Sequence, residues 1–183
     1  LTLLSTSAPY FRCNTFSLLP VPKYGAEVES KVSSRKTKNT AEVFHSNNFL
    51  IYADAFQALK FNETISGYGY EDVEFAHRAI QQNLKISYID NPIIHLGIDS
   101  NKDFLDKTKN AIENLFRMYN ENLIYETKLI RLFNKISPIL SLIPIPNQIA
   151  NYLYNSLSKG NYSIYKLQLL KLIWYYEIDK KKK

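Results

Sequence analysis

The sequence has almost no cysteine and no long apolar run, the features of disulfide-linked, zinc-cluster and membrane-spanning proteins. Its 183 residues contain a single cysteine, Cys13, so an internal disulfide framework and a cysteine zinc cluster are both excluded. No apolar run reaches the roughly 20 residues that a transmembrane helix needs, and no signal peptide is visible. Because the chain begins at Leu1 rather than at methionine, we expect a fragment whose upstream part is missing.

Positive charge is present but is not concentrated in the body of the chain. The formal net charge is +6, and part of it belongs to the tail Lys180–Lys183. A nucleic-acid-binding domain needs a clustered basic face, so we expect no nucleic acid partner. The polar segment 26–40 carries further basic residues and is either a solvated surface or a patch that contacts phosphate.

Glycine is scarce, and two of the five glycines stand in one short segment, 67–72 (GYGYED). Glycine allows positive φ or a close approach of the backbone to a ligand. We therefore expect a tight loop that exposes Tyr68 and Tyr70 as flat walls and presents Glu71 and Asp72 at the start of a helix. Such a loop suits a site that holds a sugar and removes a proton from it. Alternatively, the carboxylates serve only the helix dipole, and the tyrosines pack on their own domain.

The rest of the chain alternates between strand and helix patterns and then becomes helical. The apolar run 49–52 predicts a buried strand, and 71–82 predicts a helix with an i,i+4 pair of Glu74 and Arg78. Further predicted elements are a helical turn or two at 54–59, strands at 84–89 and 93–97, and helices at 104–119 and 124–136. Pro138, Pro144 and Pro146 then prevent a single long helix.

Several segments in the same order resemble the acceptor-side half of family-2 glycosyltransferases. They are 46–51 (SNNFLI), 61–63 (FNE), 67–72 (GYGYED) and 91–97 (NPIIHLG), followed by 104–108 (FLDKT) and 114–115 (NL). The closest similarity is to the bacterial type that makes cell-surface polysaccharide. The C-terminal region of animal galactosyltransferases is similar too. The resemblance covers residues from about 23 to 120.

This resemblance implies a fold class and a division of the chain. It implies an α/β fold, the acceptor-side part of a GT-A (Rossmann-like) domain with a mixed sheet, spanning 1–120. A helical appendage rich in aromatic residues and lysines would follow at 121–183.

The resemblance also implies an inverting sugar transfer from a nucleotide-sugar donor to a glycan or lipid-linked acceptor. Asp72 matches the general base, and Glu71 would orient the acceptor hydroxyls beside Tyr68, Gly69 and Tyr70. His95 matches a histidine that completes a Mn²⁺ or Mg²⁺ site in some relatives. The remaining histidines, His45 and His77, are expected to be structural.

One departure from the family pattern limits what this chain is expected to do. The family holds metal and nucleotide diphosphate with an Asp-x-Asp motif, and none occurs in the 183 residues. We therefore expect the donor-binding half to be absent, and this chain alone to neither bind nor turn over a nucleotide sugar well.

A non-catalytic function is the alternative. Lysines and aromatic residues in the C-terminal third are typical of helices that lie in a membrane surface, and the lysine tail would add attraction to anionic lipid. The same residues could instead pack back on the catalytic domain. A membrane-surface or glycan-binding module is thus the competing interpretation. The expected location is the cytoplasm, or the inner face of the cell membrane.

Overall fold

A computed structural model describes residues 2–6, 41, 44–46, 48–89, 99–140, 147–161 and 163–182. These residues fall into two compact units. Unit 1 contains the described residues up to Ser66 and those from 70 to 89. Unit 2 contains Gly67–Gly69 and the described residues from Asp99 onward.

Unit 1 holds the strands of the described residues. Strand β1 (Thr2–Thr6) lies between β2 (Phe49–Leu50) and β3 (Lys85–Ile89). It pairs antiparallel with β2, where Leu4 lies opposite Leu50, and parallel with β3, where Leu4 lies opposite Ser87. Two helices accompany these strands in unit 1, α1 (Ala53–Leu59) and α2 (Glu71–Gln81).

Unit 2 is built from four helices in its described part. They are α3 (Asn101–Asn120), α4 (Lys128–Leu140), α5 (Asn147–Ser158) and α6 (Ile164–Lys182). The Ser100 side chain caps α3 by accepting a hydrogen bond from the Asp103 backbone N–H at 3.1 Å. Helix α4 includes Pro138 and ends at Leu140, four residues beyond the predicted end at 136.

The predicted fold class, a mixed α/β Rossmann-like sheet, is wrong for the described residues. They are mostly helical, and their strands contain only two to five residues each. Strand patterns are local, whereas the size of a sheet depends on partners distant in sequence, which the alternation at 84–89 does not specify. The predicted strand at 93–97 lies outside the described residues. The predicted division at residue 120 remains a prediction, although α3 clusters with the later helices.

The prediction of a buried strand at 49–52 is also wrong. The strand covers only Phe49–Leu50, and Leu50 and Tyr52 are 65% and 63% exposed. By contrast, α2 and β3 lie within one residue of their predicted bounds. Helix α3 extends the predicted 104–119 at both ends, while α4 begins four residues later than predicted.

Phenylalanine rings make up much of the core of unit 1. Phe75 of α2 is fully buried and lies at the centre, with its ring stacked on that of Phe61 at 4.3 Å between centroids. Phe44, Phe49 and Phe56 surround it at 5.8, 6.0 and 6.4 Å. These rings pack against the buried face of α2 and so fix the position of that helix.

Unit 2 has an aliphatic core contributed by all four helices. Its fully buried side chains include Leu105, Ile112, Leu115, Ile130, Leu157 and Leu167. Tyr175 of α6 is the largest of the fully buried side chains and contacts the rings of Phe116 and Phe133 at 5.3 and 4.8 Å. Burial of these side chains supplies the main favourable term for the bundle.

Three helices end in the same hydrogen-bond pattern. In α2, the Leu84 N–H donates to the Ala79 carbonyl and the Asn83 N–H donates to Ile80, which is a Schellman motif. The same pair of bonds closes α3 and α5, with Asn122 and Gly160 at the position of positive φ. Two of these three stops therefore use asparagine where glycine is the common residue.

Candidate functional site

The glycine loop is held against helix α3 within unit 2. Gly67 and Gly69 have φ of +108° and +88°, which glycine adopts without steric cost. A Cβ on Gly69 would lie 2.7 Å from the Ala111 Cβ, and one on Gly67 would lie 3.2 Å from the Asn114 Oδ1. The loop therefore requires glycine at both positions, for its backbone conformation and for its close approach to the helix.

Asn114 fixes this loop by a hydrogen bond. Its Nδ2 donates to the Gly69 carbonyl at 2.6 Å, and its Oδ1 accepts from the Arg117 guanidinium at 2.6 Å. Asn114 is only 5% exposed, so its side chain is held at this place and the bond to Gly69 is partly buried. Two segments that carry the resemblance, the glycine loop and the helix containing Asn114, are thus in direct contact.

Tyr68 stands at the tip of this loop and is 53% exposed. The Lys107 ammonium lies 6.0 Å from the centre of its ring and also pairs with Asp99 at 2.6 Å. The Asp99 carboxylate raises the pKa of Lys107. The ring therefore presents a flat face beside a cation.

The chain passes from unit 2 to unit 1 between Gly69 and Tyr70. Tyr70 is the N-cap of α2 and adopts the left-handed conformation at φ 73°, which a residue with a Cβ rarely does. Its carbonyl accepts from the Glu74 N–H at 3.0 Å, the first bond of the helix. This residue therefore begins the helix that carries Glu71 and Asp72.

Asp72 is held in place at the start of α2. Its Oδ1 accepts a hydrogen bond from the Val73 backbone N–H at 2.8 Å, and its Oδ2 lies 3.5 Å from the His45 Nδ1. The Asp72 side chain is 23% exposed, so solvent still reaches it. A partly exposed carboxylate with an imidazole beside it is suited to accepting a proton from a bound hydroxyl.

His45 was expected to be structural, and its proximity to Asp72 was missed. The two residues are 27 positions apart, and the packing of Phe44 and Phe49 against Phe75 brings their segments together. No spacing in the sequence signals such a pair.

Glu71 and Glu74 have different environments on the first turn of α2. Glu71 is exposed, and its side chain forms no hydrogen bond with the described residues, which leaves it available to a ligand. Glu74 is 2% exposed and forms the predicted pair with Arg78 at 2.6 Å. Arg78 also donates to the carbonyls of Leu59 and Lys60 at the end of α1, so this pair ties α2 to α1.

The expected metal site does not lie within the described residues. Among them, no group of three or more His, Cys, Asp or Glu side chains is placed to hold an ion. Asp72 and His45 form only a pair, and His95 lies outside the described part of the chain. These residues do not fit a Mn²⁺ or Mg²⁺ site by themselves.

No helix in the described part of the chain has the length and apolarity needed to cross a bilayer. Comparisons with protein-family models, with curated proteins and with solved structures find no match for the chain.

Proposed function

We propose that this chain is the acceptor-side part of an inverting glycosyltransferase, acting in the cytoplasm or at the inner face of the cell membrane. The observation that carries the proposal is the carboxylate of Asp72. It is fixed by the Val73 N–H, lies beside His45, and follows directly on a glycine loop that is held against α3. The sequence resemblance supplies the reaction class.

Asp72 would act as the general base in this reaction. The acceptor hydroxyl gives its proton to the Asp72 carboxylate, and the acceptor oxygen bonds to the anomeric carbon of the donor sugar with inversion. The bond from that carbon to the nucleoside diphosphate breaks, and the diphosphate leaves with the electron pair. Glu71 of unit 1 would accept hydrogen bonds from hydroxyls of the acceptor. The exposed Tyr68 ring of unit 2 is proposed separately as a face that binds sugar.

Acceptor binding is testable with this chain alone. We expect oligosaccharide acceptors to show saturation transfer from the protein in ligand-observed NMR, and this signal should fall in Tyr68→Ala and Glu71→Gln. Tyr165→Ala is the matched control because Tyr165 is a tyrosine of unit 2 that is 83% exposed and lies in α6. Equal signals in Tyr68→Ala and Tyr165→Ala would contradict the assignment of the loop.

The role of Asp72 is tested in a protein that joins this chain to a donor-binding half. Asp72→Asn keeps the hydrogen bond from Val73 but cannot take the proton, so we expect transfer to fall by about 10²- to 10⁴-fold. His45→Asn should have a smaller effect. Transfer at the normal rate by Asp72→Asn would contradict the proposal. The release of nucleoside diphosphate on addition of acceptor measures the rate.

Membrane-surface binding is the second candidate function, favoured by apolar side chains exposed on the helices of unit 2. Leu132, Ile149, Tyr152, Tyr165 and Leu169 are all exposed. Ile149 and Leu169 also line a small apolar cavity with Leu140, Leu172 and Ile173. Helices that combine such residues with lysines bind at bilayer interfaces.

Co-sedimentation with anionic liposomes tests this second candidate. The variant Ile149→Asn with Leu169→Gln should reduce binding, because it removes apolar area from the interface. The control variant Leu50→Gln with Tyr52→Ser removes exposed apolar side chains from unit 1 and should bind as the unmodified chain does. Equal binding by both variants would remove the membrane proposal.

A further inference from the structure

A cavity of about 510 Å³ opens among three helices of unit 2. Lys109 of α3, Ala150 and Asn151 of α5, and four residues of α6 line it. The residues from α6 are Trp174, Glu177, Lys180 and Lys181. Neither the proposed transfer nor the exposed apolar surface uses this cavity.

The charges around the cavity are unbalanced. Three lysines face a single carboxylate, Glu177. None of the three lysine side chains pairs with a carboxylate of the described residues, whereas the neighbouring Lys102 and Lys107 on α3 are paired with Asp106 and Asp99. Ammonium groups of like charge around one concavity repel each other, and a bound anion relieves that repulsion.

Two further features favour an anion in this cavity. Ala150 and Asn151 belong to the beginning of α5, and the N-terminal end of a helix carries partial positive charge and unpaired N–H groups. Trp174 is 5% exposed, and no described residue accepts a hydrogen bond from its indole N–H. The cavity thus combines three ammonium groups, residues from the first turns of α5 and a tryptophan whose N–H has no acceptor among the described residues.

We propose that this cavity binds a phosphate or diphosphate group. Lys109, Lys180 and Lys181 neutralise its charge, and the first turns of α5 contribute Ala150 and Asn151 to the lining. The same chemistry is offered by a soluble diphosphate and by the headgroup of a phospholipid, and the lysines suit both. This proposal is independent of the sugar transfer, because it depends on unit 2 alone.

Trp174 provides the readout because it is the only tryptophan of the chain and lines the cavity. We expect its fluorescence to change saturably when the full chain is titrated with inorganic pyrophosphate. In parallel, the chain is titrated with vesicles of phosphatidic acid in phosphatidylcholine, and with phosphatidylcholine alone as the blank. A change with pyrophosphate assigns a soluble ligand, and a change only with phosphatidic acid assigns a lipid headgroup.

A pair of single variants on α5 locates the site. Asn151→Asp places a negative charge in the lining of the cavity, and a carboxylate near a helix N-terminus does not weaken the helix. We expect it to weaken binding by roughly fivefold to tenfold, as one adjacent charge does at a partly hydrated site. Gln148→Glu likewise converts an amide to a carboxylate near the beginning of α5, at an exposed residue outside the lining. Because Asn151 and Gln148 are both exposed and only Asn151 lines the cavity, Gln148→Glu should change affinity by less than about twofold.

A pair of triple variants separates the cavity from general positive charge. Replacing Lys109, Lys180 and Lys181 by alanine should weaken binding by more than about tenfold. Replacing Lys128, Lys135 and Lys159, which are exposed elsewhere in unit 2, removes the same charge and should leave most of the binding. Circular dichroism confirms that each variant is folded.

Two outcomes would overturn the proposal. One is the absence of any saturable change with both pyrophosphate and phosphatidic acid vesicles. The other is an equal loss of affinity in the two members of either variant pair, because binding would then follow overall charge and not the cavity.

Discussion

The two units bury different kinds of side chain. In unit 1, four phenylalanine rings converge on Phe75, whereas unit 2 distributes its core over many leucines and isoleucines from four helices. A ring cluster concentrates the packing energy in one residue, and an aliphatic bundle spreads it. The helix that carries Asp72 therefore depends largely on a few rings. The three helices around the cavity lined by Lys109, Lys180 and Lys181, called the lysine cavity below, are instead stabilised by many aliphatic contacts.

The largest effect is expected when the centre of the ring cluster is removed. Phe75→Ala should lower the free energy of unfolding by about 3–5 kcal/mol, because it deletes a fully buried ring and leaves a cavity. Denaturant unfolding measures this change. Phe104→Ala in α3 removes the same side chain at a partly exposed site of unit 2 and should cost clearly less. Equal costs would contradict the central, fully buried place of Phe75 in unit 1.

A smaller but substantial loss is expected from Arg78. Arg78→Met leaves the Glu74 carboxylate buried without its partner and frees the carbonyls at the end of α1. We expect a loss of about 2–3 kcal/mol in denaturant unfolding, below the range for a fully buried pair because Arg78 is partly exposed. Arg78→Lys keeps the charge but not the two-pronged geometry, so its stability should lie between those of Arg78→Met and the unmodified chain. A neutral Arg78→Met would show that the pair does not hold α2.

Next in size is the strain that a side chain introduces at Gly69. Gly69→Ala should cost about 1–3 kcal/mol, because φ is positive and the new Cβ meets that of Ala111. Combining it with Ala111→Gly removes the contact but not the strain at φ. The double variant should therefore regain part of the loss in a double-mutant cycle, and strict additivity would contradict the close approach of loop and helix.

One substitution in unit 2 is expected to stabilise the protein. Desolvation lowers the pKa of Lys171, although the residue as a whole keeps some exposure. The native state therefore disfavours the charged amine, and stability rises with pH as the pH approaches the ordinary lysine pKa of 10.5. Lys171→Leu should add about 1 kcal/mol at neutral pH, and the gain should shrink in alkali. A gain that does not depend on pH would point to packing alone.

The smallest effect is expected at the contact between α3 and α5. The Tyr154 hydroxyl donates to Asp106 at 2.6 Å, and this bond, with help from Lys102, lowers the pKa of Asp106. The stabilisation is complete above the unfolded pKa of about 4 and is lost as pH falls through the lowered folded pKa. Tyr154→Phe should cost less than about 1 kcal/mol at neutral pH. The difference between the two proteins should vanish in acid, and a constant difference would contradict this coupling.

The sequence predicted the local elements of the site but not their surroundings. Helix α2 and its Glu74–Arg78 pair follow from a short-range pattern, and the structure confirms both. The pairing of His45 with Asp72 and the central place of Phe75 depend on contacts between distant segments, which a pattern in one sequence does not contain. The fold class was wrong for the same reason, since a few alternating residues do not determine how many strands join a sheet.

The lysine cavity escaped prediction because its lining comes from three helices. Lys180 and Lys181 were interpreted as part of a charged tail, which their position in the sequence suggests. Only the folded bundle brings them near Lys109 and the beginning of α5. The side chains of such a cavity carry no common spacing, so no motif search would group them.

The asparagines that follow the ends of α2 and α3 also affect the conformational freedom of the unfolded chain. Glycine is the most flexible residue in an unfolded polypeptide, and each glycine avoided leaves fewer conformations to be lost on folding. With Asn83 and Asn122 in the left-handed positions, two helices end without that flexibility. In the described part of the chain, the glycines lie in the loop against α3 and after the end of α5. The unfolded chain therefore has less backbone freedom at Asn83 and Asn122, where the folded protein needs only a left-handed residue to end a helix.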